Sequence, residues 1–126
     1  MTVQLAAVTF DCEDAMTVGS FWAAALDRPL DGHSTRDFAT IGMAEGHAVG
    51  GSNAWMFARV PESKTAKNRM HVDLAAEDRE AEVTRLIDLG AKRGDDQETW
   101  GIAWTVMQDP EGNEFCVAQT PGAPTA

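Results

Sequence analysis

The sequence predicts an α+β fold of two βαβββ modules in tandem, whose mixed sheets form a cup around a central pocket. Three observations carry that prediction. The stretch from Asn68 to Gly90 repeats one near the N-terminus. With Glu77-Asp78 laid over Glu13-Asp14, Val72 falls on Val8, Leu74 on Phe10 and Leu86 on Trp22. Each copy is an apolar run, an acidic pair and an amphipathic helical pattern. A polar, proline-containing stretch, Pro61–Asn68 (PESKTAKN), separates two halves of similar length and reads as a linker. Further β-rich runs follow each helix. One module alone would leave the inner face of its sheet open. Two modules side by side close that face, and pockets form where elements converge around a cavity.

Val3–Asp11 is apolar with partial alternation and reads as the first strand. Asp11 or Asp14 is placed to cap the next helix, with Glu13 and Asp14 adding negative charge at its positive end. Val18, Phe21, Trp22, Ala25 and Leu26 follow helical spacing and mark one buried face. Asp27-Arg28-Pro29 ends that helix, because proline lacks the donor a continuing helix needs. Leu30–Met43 reads as two short strands around the polar tip His33–Asp37. Glu45–Ser52 (EGHAVGGS) is a glycine-rich loop without phosphate-loop spacing, and Asn53–Val60 is a strand rich in Trp55, Met56 and Phe57.

The second half repeats the plan. A strand over Arg69–Leu74 precedes a helix near Asp78–Leu89, with Val83, Leu86, Ile87 and Gly90 on one face and Gly90 suited to the C-terminal cap. Strands at Ala91–Asp95, Ile102–Gln108 and Glu114–Ala118 follow, and Asp109–Asn113 is a turn. The tail from Thr120 is small and proline-containing and is expected to fray.

A length of 126 residues suits one domain, with the first module at about residues 3–60 and the second at about 69–119. With 10 basic and 20 acidic residues, the formal charge is -10, which repels phosphate backbones and acidic membrane surfaces. Neither nucleic acid nor membrane is expected as a partner, and no apolar run approaches the ~20 residues of a bilayer span. The start, MTVQLAAVTF, lacks the basic region of a signal peptide, so the expected location is cytoplasmic. Cys12 and Cys116 are read as reduced thiols packed as small hydrophobes.

The βαβββ repeat, together with VPESKTAKNRMHVDL (Val60–Leu74) and DPEGNEFCV (Asp109–Val117), resembles the glyoxalase-like branch of the vicinal oxygen chelate superfamily. That superfamily includes glyoxalase I, extradiol dioxygenases, fosfomycin-resistance transferases and bleomycin-binding proteins. The resemblance runs from about Val3 to Ala118. It implies four metal-ligand positions in the metal-dependent members. Carried over one at a time, these fall on Ala7, on or near Ala58, on His71 and near Cys116, with Glu114 two residues earlier on the same strand face. Alanine offers no lone pair, so the expectation is no metal and no cofactor. A rearranged His71, Cys116 and Glu114 set, suited to zinc, stands as the alternative. The resemblance also implies a homodimer, sometimes with modules exchanged across the linker.

His71 is the leading catalytic candidate, as a general base or an orienting hydrogen-bond donor; the bland reading is a ring packed in the core. Glu114 is a second catalytic candidate, to accept a proton from a carbon acid or hold an amine; the bland reading pairs it with a surface cation. Asp73 shares strand parity with His71 and either orients it or faces solvent. Cys116 is a ligand contact, and no histidine is visibly placed to activate it as a nucleophile. Trp55, Phe57, Trp100 and Trp104 serve core packing, ligand contact or both, with Trp100 and Trp104 flanking Gly101 as a lip over a flat ligand. His33 and His47 sit in loops. The functional expectation is a protein that binds a small organic molecule in an aromatic-lined cup without the usual metal site. It acts there as a binding or sequestering protein or as a metal-independent isomerase or lyase. The alternatives are a metal-dependent lyase or dioxygenase with a rearranged site, and a non-catalytic interaction domain.

Overall fold

Two aspartates begin the two helices, and their equivalence shows the repeat in three dimensions. In the computed structural model, which describes residues 2–43 and 53–120, Asp14 accepts from the Thr17 amide at 3.0 Å and starts α1 (Ala15–Ala25). Asp78 accepts from the Ala81 amide at 3.1 Å and starts α2 (Arg79–Leu89). Both are N-caps in extended backbone, and each satisfies a helix donor that has no partner inside the helix. The chain divides into two compact units, one ending at Lys64 and the other beginning at Thr65, so the division falls inside the expected linker. The glycine-rich run Glu45–Ser52, with His47, and the tail after Thr120 lie outside the described residues.

In the first unit, β1 (Ala7–Cys12) pairs in parallel with β3 (Ala54–Arg59), and β2 (Phe38–Ile41) pairs antiparallel with β3, giving the order β1-β3-β2. α1 packs on this sheet. Its buried face carries Val18, Phe21, Trp22 and Ala25, as the spacing predicted. Gly19 lets the helix approach closely: a Cβ there would sit 3.1 Å from the Ala39 Cβ and 3.3 Å from Phe57. Two expectations change. The first strand begins at Ala7, where β3 begins opposite it, and Val3 and Leu5 are exposed. The expected strand near Leu30 is reduced to a single bridge, Leu30 to Ile41. The reason is local: the Asp31 carboxylate accepts from Thr40 Oγ1 at 2.6 Å and the Met43 amide at 2.8 Å, while Ser34 Oγ accepts from the Thr40 amide. Side-chain bonds of this kind compete with a ladder. His33 is exposed, and its Nε2 lies 2.9 Å from Thr40 Oγ1.

The second unit has the full βαβββ order. β4 (Val72–Ala76), β5 (Lys92–Thr99), β6 (Ile102–Gln108) and β7 (Glu114–Gln119) form a sheet in the order β4-β7-β6-β5. Only β4 and β7 run parallel; β6 is antiparallel to both of its neighbours. α2 packs on this sheet with Val83 and Leu86 buried, whereas Ile87, expected on the same face, is 42% exposed at its edge. Gly90 caps the helix with φ +122, a conformation that favours glycine. The turn from β6 to β7 is built on Asp109, only 2% exposed, whose carboxylate accepts from the amides of Glu111 (2.9 Å) and Asn113 (3.0 Å) and from Asn113 Nδ2 (3.0 Å). Cys12 and Cys116 are both buried, and neither is in a disulfide. No helix among the described residues is long and apolar enough to cross a membrane.

Removing the Asp109 carboxylate strands these donors in a buried place. Asp109→Ala is expected to lower the unfolding free energy by about 2–3 kcal/mol in a urea titration, the scale of unsatisfied buried polar groups. A loss under ~0.5 kcal/mol, half a typical net hydrogen bond, would show that the turn does not depend on it.

Candidate functional site

Strand alternation divides the second unit's sheet into two faces. Val72, Leu74, Phe115, Val117, Thr105 and Met107 belong to the face that α2 covers. The opposite face follows from the register. Asp73 lies beside Cys116, Cys116 beside Val106, and Ala118 beside Trp104. His71 lies two residues before Asp73, and Glu114 two before Cys116, so both share that face. These residues, with Ile102 and with Lys67 from the linker end, line a cavity of about 470 Å³.

The cavity has an apolar wall and a polar end. Ile102, Trp104, Val106 and Ala118 form the wall, and Lys67, His71, Asp73, Glu114 and Cys116 form the polar end. His71 Nδ1 lies 3.1 Å from Asp73 Oδ1, and the two side chains are 40% and 63% exposed, so both are open to a bound molecule. A carboxylate only accepts, so Nδ1–H is the donor in this contact. Glu114 Oε1 accepts from the Asn68 amide at 2.9 Å, and Asn68 Nδ2 donates to Asn113 Oδ1 at 3.0 Å. The end of the linker is therefore tied to the start of β7, and this tie carries Lys67 to the cavity. Burial pushes the Cys116 thiol up to about 11. The Asp73 charge and a hydrogen bond to Asp73 add to the rise, and Lys67 opposes it. At neutral pH Cys116 is a thiol, which argues against nucleophilic use.

The site expectations divide on this geometry. His71, Glu114, Trp104 and Cys116 come together in the cavity, and Asp73 joins them. Trp100, expected as a lip, is not among the residues that line this cavity. Trp100 and Gly101 are the two residues of the β5–β6 hairpin turn, with φ +50 and +77, and Trp100 is 96% exposed. Positive φ at both positions is what a tight hairpin turn requires. Trp55 and Phe57 belong to the first unit and share the parity of Phe10 on the side facing α1. Trp55 stacks against Phe10 at 5.9 Å and meets Trp22 at 5.3 Å, while Phe57 lies 5.6 Å from Phe10 with no exposed surface. Their packing role is the one this unit displays. Lys67, Ile102, Val106 and Ala118 were not anticipated. Val106 and Ala118 follow from the strand register, and Lys67 only from the bonds of Asn68.

The four-donor metal set implied by the resemblance does not fit this chain. Ala7 and Ala58 carry no donor, and both are ordinary members of the first unit's ladders. The registers also correct the position of the second slot. Asp73 pairs with Cys116 as Thr9 pairs with Met56, so Met56, not Ala58, is the counterpart of Cys116.

A family model described as a glyoxalase-like domain matches residues 7–118. No curated protein matches the chain. Among solved structures, the fold is similar to a glyoxalase/bleomycin resistance protein/dioxygenase family enzyme from Burkholderia phytofirmans PsJN. That similarity has a TM-score of 0.71 at 17% identity and covers 93% of this chain and 98% of the other. A glyoxalase-related enzyme from Fulvimarina pelagi has a TM-score of 0.70 at 14% identity, covering 99% and 94%. The bleomycin-binding protein from bleomycin-producing Streptomyces verticillus, complexed with copper(II)-bleomycin, has a TM-score of 0.61 at 17% identity, covering 94% and 98%. At these identities the likeness is one of fold.

The thiol gives a direct test of the electrostatics. In a Cys12→Ala background, thiolate absorbance is expected to rise with a midpoint of about 11, against an ordinary value of 9.0. Asp73→Asn lowers that midpoint by removing a negative charge and a strong acceptor. The stability contribution of the buried thiol is fully present below 9.0 and is lost as pH rises through about 11. A midpoint at or below the ordinary value would mean that Cys116 is neither desolvated nor close to Asp73.

Proposed function

Because the chain belongs to the glyoxalase-like domain family, we propose that it binds a small organic molecule on the cavity face of its second unit, without the four-donor metal site. One observation carries the reading: an apolar wall with Trp104 meets a cluster of hydrogen-bonding groups in a cavity of about 470 Å³. Small-molecule sites have this composition, mostly apolar with a few polar groups that fix orientation. The flat ring of Trp104 suits a planar or aromatic ligand, and His71, Glu114 and Lys67 suit its polar substituents. A fold neighbour complexed with copper(II)-bleomycin supports a binding or sequestering role.

The contact of His71 with Asp73 supports a second reading, a metal-independent isomerase or lyase. A braced imidazole with a free Nε2 can take a proton from a carbon acid, and Glu114, on the same face, can accept or return one. His71→Gln separates the two readings: it abolishes turnover and leaves the binding of inert ligands within a few-fold. The proposal also includes a homodimer in the cytoplasm. Sedimentation that shows only single chains at micromolar concentration would remove the dimer.

The test of binding is a screen of planar ligands by quenching of tryptophan fluorescence, repeated on Trp104→Ala. Loss of this ring is expected to weaken a hit about tenfold or more, since one aromatic contact contributes on the order of 1.4 kcal/mol. Trp100→Ala, at the hairpin tip, is expected to leave the affinity unchanged. Equal affinity in Trp104→Ala would place the ligand elsewhere.

A further inference from the structure

We propose that the cavity of the second unit takes a zwitterion of the aromatic amino-acid class, with its ring on the Trp104 wall and its two charged groups set between Lys67 and Asp73. The inference rests on the reading above, that this cavity binds a small organic molecule, and names the class of that molecule.

The polar end holds opposite charges that do not neutralise each other. Burial and Asp73 push the Cys116 thiol up, and Lys67 pulls it down, so the two charges flank one sulfur. Asp73 pairs with His71 at 3.1 Å, while Lys67 makes no ion pair among the described residues. A carboxylate has several acceptor sites and an ammonium three donors. The Asp73 side chain is 63% exposed and keeps acceptor capacity beyond His71 and the thiol. A ligand with both signs fills the gap: its carboxylate meets Lys67 and its ammonium meets Asp73. A ligand of one sign satisfies one half of this end and is repelled by the other.

The backbone places the lysine. Its neighbour Asn68 donates its main-chain amide to Glu114 Oε1 at 2.9 Å and its side-chain amide to Asn113 Oδ1 at 3.0 Å. Asn113 is held in turn by the buried Asp109. The linker is thus fixed one residue from Lys67. The second carboxylate of this end, Glu114, adds negative charge on the side where the ligand's ammonium goes. Beyond these groups the lining is Ile102, Trp104, Val106 and Ala118, an apolar surface suited to a ring.

The test measures a matched series of indoles by titration calorimetry on the full chain at neutral pH. L-Tryptophan carries both charges, tryptamine the ammonium alone, indole-3-propionate the carboxylate alone and 3-methylindole neither. L-Tryptophan is expected to bind roughly tenfold or more tightly than each of the others, the scale of one charge-assisted contact. Lys67→Met brings L-tryptophan to the affinity of tryptamine, and Asp73→Asn brings it to that of indole-3-propionate. Both changes are at exposed positions and keep the fold. Lys64→Met, on the same linker and outside the lining, leaves the preference intact. Equal affinity for L-tryptophan and a single-charge or neutral indole, still lost in Trp104→Ala, would overturn the class and leave the cavity reading standing. A preference that survives Lys67→Met, or falls as far in Lys64→Met, would overturn it too. Binding of L-tryptophan that Trp104→Ala leaves unchanged would remove the cavity reading and the class together.

Discussion

The parallel pairing of β4 with β7 is the constraint on which the second unit's chemistry depends. A parallel ladder between distant segments sets one register for both faces of a sheet, and a slip of one residue would exchange the faces. In this register Phe115 and Val117 go under α2, while Glu114, Cys116 and Ala118 go to the cavity. His71 and Asp73 follow on the neighbouring strand. The hydrophobic demand of the helix side therefore positions the polar groups of the other side. The residues that stabilise the fold and those that face the cavity alternate along the same strands.

The turn at Asp109 supports this arrangement from one end. A carboxylate that is almost fully buried is stable only with its acceptors satisfied, and the amides of Glu111 and Asn113 satisfy them. Asn113 then passes the bond on to Asn68, and Glu114 takes the Asn68 amide. A linker that would otherwise be a solvated strap is pinned beside the sheet at this point. Lys67 becomes a cavity residue through that pin, and its positive charge partly offsets Asp73 beside the Cys116 thiol.

The two copies of the repeat have diverged on one face and not on the other. On the helix-facing side, Phe10, Trp55 and Phe57 of the first unit stand where Leu74, Phe115 and Val117 stand in the second. The opposite face has Ala7, Thr9 and Met56 in the first unit and His71, Asp73 and Cys116 in the second. A packed face tolerates exchange among large apolar side chains. An open face is free to lose or gain polar groups without loss of the fold, so the titratable groups of this face collect in the second unit.

The sequence by itself determined the two-module plan, the place of both helices to within a few residues and the turn at Asp109–Asn113. Each of these rests on local chemistry: an aspartate that accepts from amides three or four residues on, an apolar period, a proline or a glycine at a bend. It also marked His71, Glu114, Cys116 and Trp104, because parity within one strand can be read along the chain. The tertiary structure alone decided which strands pair and in what register. On that register depend the place of Asp73 beside Cys116 and the packing rather than ligand-facing place of Trp55 and Phe57. These outcomes join residues far apart in the chain, and the energy that selects them is the burial of a whole face against a helix. No single residue or short pattern carries that information.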